Sequence, residues 1–372
     1  MSDPFDIFLV APPGLEPVLV GEASERGFAP ARAVPGGVEI TGGWPEVWRA
    51  NLELRGATRI LVRLAQFRAL HVAQLDKRAR RVPWGATLRP DVPVRVEAAC
   101  RASRIYHEGA VASRIARAIR EELGAPVPES RTADAVVVKA RIEDDLCTLS
   151  VDTSGEALHR RGYKQAVGKA PLRETLAALL LRAAGFAGDE PVLDPMCGSG
   201  TFVIEAAGTA LGLAPGRARG FAFERLAGFD AAAWAALRDR PATGRTDLRF
   251  TGYDRDAGAV AAARANAERA GVAAITDIAR QPVGALERPD GPAGLVAVNP
   301  PYGTRIGTRK ALHAVHDVLG RRLAERFSGW RVALVTADAG LARSTGLPFD
   351  PPGPPVPHGG LKLRLFRTGP LP

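Results

Sequence analysis

The sequence predicts an α/β protein whose C-terminal half is a doubly wound, mostly parallel sheet and whose N-terminal half consists of smaller α+β units. Three observations carry this. From residue 190 onward, short apolar runs alternate with helical patterns, the rhythm of successive βαβ crossovers. Before residue 155, strand-like runs follow one another closely with single helices between them, as in mixed sheets. Between the two halves, residues 154–171 are polar, basic and Gly-containing, as a connection would be.

The elements can be justified in order. Phe5 to Val10 reads as a strand. A helix is expected over 13–27: Gly14 opens it, Leu15, Val18 and Leu19 share one face, and Gly27 closes it. Two short strands follow, with turn signals at Pro35-Gly36-Gly37 and Thr41-Gly42-Gly43, then a helix over 45–54. This gives one α+β unit over 1–55. A second is expected over 56–155. Arg59 to Gln66 alternates apolar and polar residues, and Val92 to Ala98 is another strand. Ser113 to Leu123 is amphipathic, with Ile115, Ile119 and Leu123 four residues apart and Gly124 as its C-cap. Val136 to Ile142 and Leu146 to Val151 form a strand pair turned by Glu143-Asp144-Asp145. Residues 156–170 connect to the last domain, 171–372. There Pro171 opens a helix through Leu172, Leu176 and Leu179-Leu180-Leu181. Strands are predicted at 191–194, 248–254, 294–299, 331–337 and 361–367, helices at 201–211, 256–270 and 310–327, and a Pro/Gly-rich loop at 346–360.

Composition narrows the function classes. At 372 residues the chain is too long for one typical domain, and 46% hydrophobic residues suffice for real cores. No apolar run reaches the roughly 18 residues that cross a bilayer. The first residues carry acids where a secretory signal would carry bases, so a cytoplasmic location is expected, with no membrane partner. The three cysteines, Cys100, Cys147 and Cys197, are far apart and lack CxxC spacing, and the six histidines do not sit beside acids at ligand spacing. This argues against a disulfide framework and against a metal enzyme. The formal charge is +10, which permits binding to a polyanion. Residues 1–165 hold 24 Lys+Arg against 21 Asp+Glu, a surplus of 3, so most of the excess lies in the C-terminal half. A GC-rich genome explains the Arg bias equally well.

Three motifs carry chemistry. In Asp194-Pro195-Met196-Cys197-Gly198-Ser199-Gly200-Thr201 an apolar strand runs into an acid, a Gly-x-Gly turn and a helix start. Gly198 and Gly200 let a ligand lie against the backbone. The helix N-terminus after Thr201 offers N–H groups to a carboxylate, and Asp194 can hold a cationic amino group. Together they fit the amino-acid part of S-adenosylmethionine. The competing reading is a tight strand-to-helix turn without a ligand. Asp254, ending the next strand, can accept both ribose hydroxyls. Arg255 is placed to lie along the adenine, and Asp256 to cap the following helix. Third, Leu295 to Val298 is a buried-strand run, so Asn299-Pro300-Pro301-Tyr302-Gly303 sits at a strand's C-terminal end, where open α/β sheets bind ligands. An exocyclic amino group of a base is conjugated and a weak nucleophile. The Asn299 side-chain oxygen and the Pro300 carbonyl can accept its two N–H bonds and aim its lone pair at a methyl carbon. Pro300 and Pro301 stiffen the loop, and Tyr302 can stack on a flipped-out base. Asn299 also borders the cofactor.

These motifs resemble those of the THUMP-domain class I RNA methyltransferases, and within them the bacterial enzymes that methylate the 2-amino group of a guanine in 23S rRNA. The resemblance covers nearly the whole chain. Residues 1–50 look like the family's ferredoxin-like unit. Trp84, Ser103-Arg104-Ile105-Tyr106-His107 and the stretch from Cys147 to Gly155 look like its THUMP region. Leu158 to Tyr163 and Ala170-Pro171-Leu172-Arg173-Glu174 look like the junction to its catalytic domain. Membership implies a Rossmann-like methyltransferase domain with a seven-stranded, mostly parallel sheet, and a THUMP domain that captures structured RNA. It also implies S-adenosylmethionine as cofactor and 23S rRNA or a ribosome assembly intermediate as partner; separately, a monomer is expected, though the sequence leaves the oligomeric state open. The family usually has an acid after the third strand for the adenine amino group. Here the stretch reads Ile278-Ala279-Arg280-Gln281-Pro282-Val283, with Pro282 at the acid's place and Asp277 too early, so Gln281 or a backbone carbonyl is expected to substitute.

RNA contacts are expected from Lys77, Arg78, Arg80 and Arg81, from Arg101 and Arg104, and from Arg161, Tyr163 and Lys164 at the junction. A solvated charged helix face is the competing reading for the first cluster, and a plain linker for the last. Two other functions stay open: methylation of a guanine in tRNA, and a non-catalytic RNA-binding or ribosome assembly factor on the same fold.

Overall fold

The computed structural model describes residues 4–128, 134–165, 172–242, 244–302 and 308–372. The expected Gly303 and the expected helix opening at Pro171 fall outside them. The chain divides into two compact units. The first takes the N-terminal strand through Val10, Ala23–Leu158 and Arg219–Arg240; the second takes Ala11–Glu22, His159–Ala218 and Pro241–Pro372.

The first unit contains strands β1 (Phe5–Val10), β2 (Arg32–Val34), β3 (Gly37–Gly42), β4 (Arg59–Arg68), β5 (Val94–Arg101), β6 (Val136–Glu143) and β7 (Leu146–Asp152). They form one sheet in the order β2-β3-β1-β4-β7-β6-β5. The α+β unit expected at the N-terminus and the one expected after it therefore share a sheet. The seam is β4, whose residues Arg59 to Val62 pair with β1 while Leu61 to Arg68 pair with β7. Beyond β7, Thr153 and Ser154 tie the helix Trp44–Glu53 to this seam: Asn51 donates to Thr153 at 2.9 Å, and Ser154 donates to Asn51 at 2.7 Å. The β6–β7 hairpin turns at Asp144 and Asp145 with φ of 49° and 62°, the left-handed pair whose twist matches the flanking strands.

Several helices differ from expectation. The helix predicted at 113–123 runs Glu108–Leu123, because the His107 ring accepts the Ala110 N–H at 3.1 Å and caps it a turn earlier. The helix Val72–Ala79, capped in the same way by His71, carries the basic cluster. The segment Arg219–Arg240, read from sequence only as part of the α/β half, contains the helix Ala231–Arg238 and groups with the first unit. Its Phe223 and Phe229 pack against Trp48 with ring centroids 6.3 and 6.1 Å away.

The second unit contains β8 (Val192–Asp194), β9 (Phe250–Asp254), β10 (Thr276–Arg280), β11 (Leu295–Val298), β12 (Arg331–Thr336), β13 (Val356–His358) and β14 (Leu361–Arg367). Their order is β10-β9-β8-β11-β12-β14-β13. The first five are parallel, and β14 runs antiparallel between β12 and β13. From β8 the chain winds outward through β9 and β10, then returns to β11 on the other side and winds outward again. Right-handed crossovers in opposite directions put the two sets of helices on opposite faces. The helices Thr201–Ala210 and Ala257–Arg269 belong to one set, Arg309–Arg326 and Ala339–Ser344 to the other. The second face holds a core of Val296, Val298, Leu319, Leu323, Phe327, Trp330, Leu334 and Phe366. A Cβ on Gly320 would lie 1.7 Å from the Thr345 carbonyl oxygen, so the close approach of Arg309–Arg326 to the chain after Ser344 requires glycine there. The reversal of winding between β8 and β11 opens a crevice at their C-terminal ends, where Asp194 and Asn299 lie.

Candidate active site

β8 ends at Asp194, which is 3% exposed. Its Oδ1 accepts the Met196 N–H at 3.0 Å. The chain then turns tightly: Gly200 N–H donates to the Cys197 carbonyl at 2.8 Å, and Gly198 and Gly200 take φ of 53° and 84°, a region unfavourable to side chains. A Cβ on Gly200 would press on Ala263 and Ile204 at 3.2 Å, whereas one on Gly198 would meet nothing within 4 Å. The turn is thus packed from behind at Gly200 and open in front at Gly198. Pro195 and Cys197 face inward. The Cys197 Sγ would lie 3.2 Å from a Cβ on Gly252, and burial, with Asp194 and Asp254 nearby, holds its thiol far above the usual range. Cys197 is therefore a packing residue, not a nucleophile.

Burial also pushes the Asp194 carboxyl up to about 8, reinforced by Asp254. A buried acid with no cation beside it stays neutral near pH 7. A cationic amino group would reverse this, which is the chemistry that the amino-acid end of S-adenosylmethionine brings. Asp254 pins the turn: its Oδ2 accepts the Gly198 N–H at 3.0 Å and its Oδ1 the Asp256 N–H at 2.9 Å. Both oxygens retain a lone pair for a ribose hydroxyl. Asp256 caps the helix Ala257–Arg269 through Ala259 N–H at 2.8 Å, as expected. Arg255 is exposed. The Gln281 N–H donates to the Asp254 carbonyl at 2.9 Å, which sets Gln281 beside Asp254. Its side-chain NH₂ is used on the Ala285 carbonyl, leaving its Oε1 as the acceptor an adenine amino group needs. Asp277 lies on β10 opposite Thr251 and is paired with Arg249 at 2.7 Å, so it cannot substitute.

Across the crevice, β11 delivers Asn299. Its Oδ1 is buried and has no hydrogen-bond partner among the described residues. Native proteins rarely leave such an acceptor unmet. Pro300 is buried, Pro301 and Tyr302 are half-buried, and burial raises the Tyr302 phenol.

Three expected RNA contacts are corrected. Arg161, Tyr163 and Lys164 point into the second unit's interior. Arg161 meets Glu205 at 3.3 Å with both side chains at most 3% exposed, and the Tyr163 hydroxyl donates to the same carboxylate at 3.0 Å. Lys164 Nζ donates to the Leu172 carbonyl at 2.7 Å and to Thr201 Oγ1 at 2.9 Å, with Glu174 at 3.7 Å. Burial lowers the Lys164 pKa although Glu174 opposes it. These side chains brace the first turn of the cofactor helix and are not presented to a ligand outside. Glu205 and Glu174 were missed by sequence reasoning. The signal was present: Phe202-Val203-Ile204-Glu205-Ala206 places an acid within a fully buried helical run, and such an acid needs a partner.

In the first unit Arg80 is already engaged by acids. It is held by Asp76 at 3.1 Å, by Glu122 at 2.9 Å and by Glu121. Lys77, Arg78 and Arg81 are exposed, with Arg78 lying 5.9 Å over the Phe67 ring. Arg101 and Arg104 are exposed but near Glu143 and Asp145, at 3.3 and 3.9 Å. Among the described residues no group of three or more His, Cys, Asp or Glu is placed to hold a metal ion, and no helix is long and apolar enough to cross a membrane.

A sheet of this order, a glycine turn between two strand-end acids and an Asn-Pro-Pro-Tyr after the fourth parallel strand define a Rossmann-like methyltransferase. Residues 161–346 match the family model for the RMKL-like methyltransferase domain, and residues 6–61 match that for the RlmL ferredoxin-like domain. The chain belongs to this RMKL-like methyltransferase family. It is 35% identical over 389 residues to "Ribosomal RNA large subunit methyltransferase K/L" of Chromohalobacter salexigens, covering 100% of this chain and 52% of that protein. It is 31% identical over 362 residues to "Putative RNA methyltransferase slr0064" of Synechocystis sp., covering 95% of this chain and 94% of that one. The chain spans about half the length of the K/L relatives. The crystal structure of SMU.472 complexed with SAH has a TM-score of 0.87 at 26% identity, covering 100% of both chains.

Proposed function

We propose that the chain is an S-adenosylmethionine-dependent RNA methyltransferase that acts on the exocyclic 2-amino group of a guanine, in 23S rRNA or an assembly intermediate. The observation that carries this is the buried Asn299 Oδ1, without a hydrogen-bond partner among the described residues, at the end of β11, next to β8 and its Asp194. A donor with two N–H bonds would satisfy it together with the Pro300 carbonyl. The cofactor supplies an electrophilic methyl group on sulfur. Asp194, the Gly198–Thr201 turn, Asp254 and Gln281 hold it, while Asn299 and Pro300 localise the acceptor's lone pair and aim it. Positioning contributes most of the rate, and Tyr302 stacks on the flipped base. The transferred methyl leaves an acidic ammonium that loses its proton to water, so no general base is required. Large-subunit ribosomal RNA is the substrate that the K/L relatives are named for; the guanine amino group is our own reading of the motifs, and we assign the N-terminal unit as the region that captures structured RNA.

The test is incubation of purified protein and labelled S-adenosylmethionine with unmodified 23S rRNA and tRNA, followed by nucleoside mass spectrometry. Label in N2-methylguanosine of 23S rRNA is expected. Label confined to tRNA or to adenine would overturn the substrate, and failure to bind S-adenosylmethionine would overturn the activity.

A further inference from the structure

We infer that the second unit carries a phosphate-binding rim beside Asn299, formed by Arg309 and Lys310 with Lys362 and Arg364, which grips the nucleic-acid backbone next to the target nucleotide. This rests on the RNA reading above and adds where the strand lies.

Register places these residues. Val298 pairs with Leu334 on β12, and Thr336 on β12 pairs with Arg364 on β14. Asn299, one residue beyond Val298, is thus level with Val335, one row from Arg364 and two strands away. Two strand spacings set the two backbones roughly 10 Å apart, within the reach of an arginine side chain across one flanking nucleotide. Residues Lys362, Arg364 and Phe366 alternate onto one face of β14, and Phe366 belongs to the core under the helix Arg309–Arg326. That helix crosses from β11 to parallel β12, so it starts at the sheet's C-terminal edge. Arg309 and Lys310 in its first turn therefore share both the face and the edge with Lys362 and Arg364.

All four are exposed, and none has an ion pair among the described residues. The sequence around them offers no acid: residues 299–316 and 351–372 contain neither Asp nor Glu. Two ordinary explanations fail. Arg309 and Lys310 do not serve helix stability, because cations in a first turn oppose the dipole. Arg364 does not protect a bare sheet edge, because β12 pairs with it and the Gly353 N–H covers the neighbouring Leu365 carbonyl. Unpaired cations of one sign along one edge suit a polyanion.

The test uses filter binding of an unmodified 23S rRNA transcript over a range of KCl concentrations. It compares wild type with the double variants Arg309→Gln/Lys310→Gln and Lys362→Gln/Arg364→Gln. Loss of two single-strand phosphate contacts lowers the salt slope by about 1.4 and weakens binding about tenfold near physiological salt. SAH affinity and Tm are expected to stay at wild-type values, since all four side chains are outside the cofactor site and the core. Wild-type affinity and slope in both variants, with wild type binding RNA, would overturn the rim while leaving the RNA reading intact. Failure of wild type itself to bind would overturn both.

Discussion

In the first unit arginine after arginine meets a carboxylate: Arg32 on Glu39, Arg89 on Asp91, Arg95 on Glu97, Arg141 on Glu143, and Arg80 on three acids at once. Along the C-terminal edge of the second unit's sheet the opposite holds. Among the described residues, Asn299 Oδ1 has no donor, Asp194 has no cation, and Arg309, Lys310, Lys362 and Arg364 have no acid. Exposed pairs contribute little to stability. What they do is neutralise a surface: the first unit neutralises its own, and this edge of the second does not. Groups that a fold leaves unmet at a crevice are the ones a ligand can meet.

The comparison breaks first if the second unit's interior is not fully paired. Arg161→Ala removes the cation that faces the buried Glu205, and breaking such a pair costs about 3–5 kcal/mol. Chemical denaturation should show that loss. The double variant Arg161→Met/Glu205→Met should recover most of it, because well-packed apolar residues replace buried pairs at little cost. No loss in the single variant would mean that the junction does not brace the cofactor helix.

Asn299 tests the unmet acceptor directly. Asn299→Ala is expected to lower turnover about a hundred- to a thousandfold, as loss of a preorganised polar group does elsewhere, with SAH affinity kept within a few-fold by calorimetry. Unchanged turnover would remove Asn299 from the chemistry.

Asp194 separates ligand binding from fold stability. Its folded pKa is raised to about 8 from 3.8, so the folded chain keeps a proton that the unfolded chain releases near pH 4. The stability this contributes is full below pH 4 and is lost as pH rises toward 8. Asp194→Asn does not titrate. Without cofactor, its Tm should gain on wild type between pH 5 and about pH 8 and stay level above that. Its S-adenosylmethionine affinity should fall about ten- to a hundredfold, the worth of a charged hydrogen bond. A Tm difference independent of pH would mean that Asp194 is ionised without ligand.

How much of this was legible in the sequence depended on where the physical signal lay. The glycine turn, Asp254 and Asn299 were legible because strand-end chemistry is local: an apolar run, an acid and a turn occur within a dozen residues. The helix Val72–Ala79 and the true start of Glu108–Leu123 were not, because histidine, an uncommon cap, opens both. β10 escaped because it is an edge strand with only Ile278 buried. Arg161, Tyr163 and Lys164 read as surface, since a basic run looks the same whether its partners are phosphates or acids further along the chain, here Glu174 and Glu205. The shared strand β4 and the return of Arg219–Arg240 to the first unit depend on long-range pairing and aromatic packing that no local pattern encodes.

The smallest effect is also the sharpest test of pairing as the criterion. Arg80 and Arg81 are adjacent, and sequence alone treats them alike. Arg80 is occupied by Asp76, Glu121 and Glu122, whereas Arg81 and Lys77 are exposed without an ion pair among the described residues. If the first unit contacts RNA through unpaired cations, Arg81→Gln and Lys77→Gln should each weaken binding of the 23S rRNA transcript about three- to fourfold near physiological salt, one phosphate contact's worth. Arg80→Gln should leave that affinity unchanged, because its guanidinium would have to abandon three carboxylates to reach a phosphate. Equal losses from all three would show that RNA outcompetes the acids and that pairing in the free protein does not mark which cations bind. Loss from Arg80→Gln alone would invert the criterion and point instead to the acidic cluster as a latch that RNA opens.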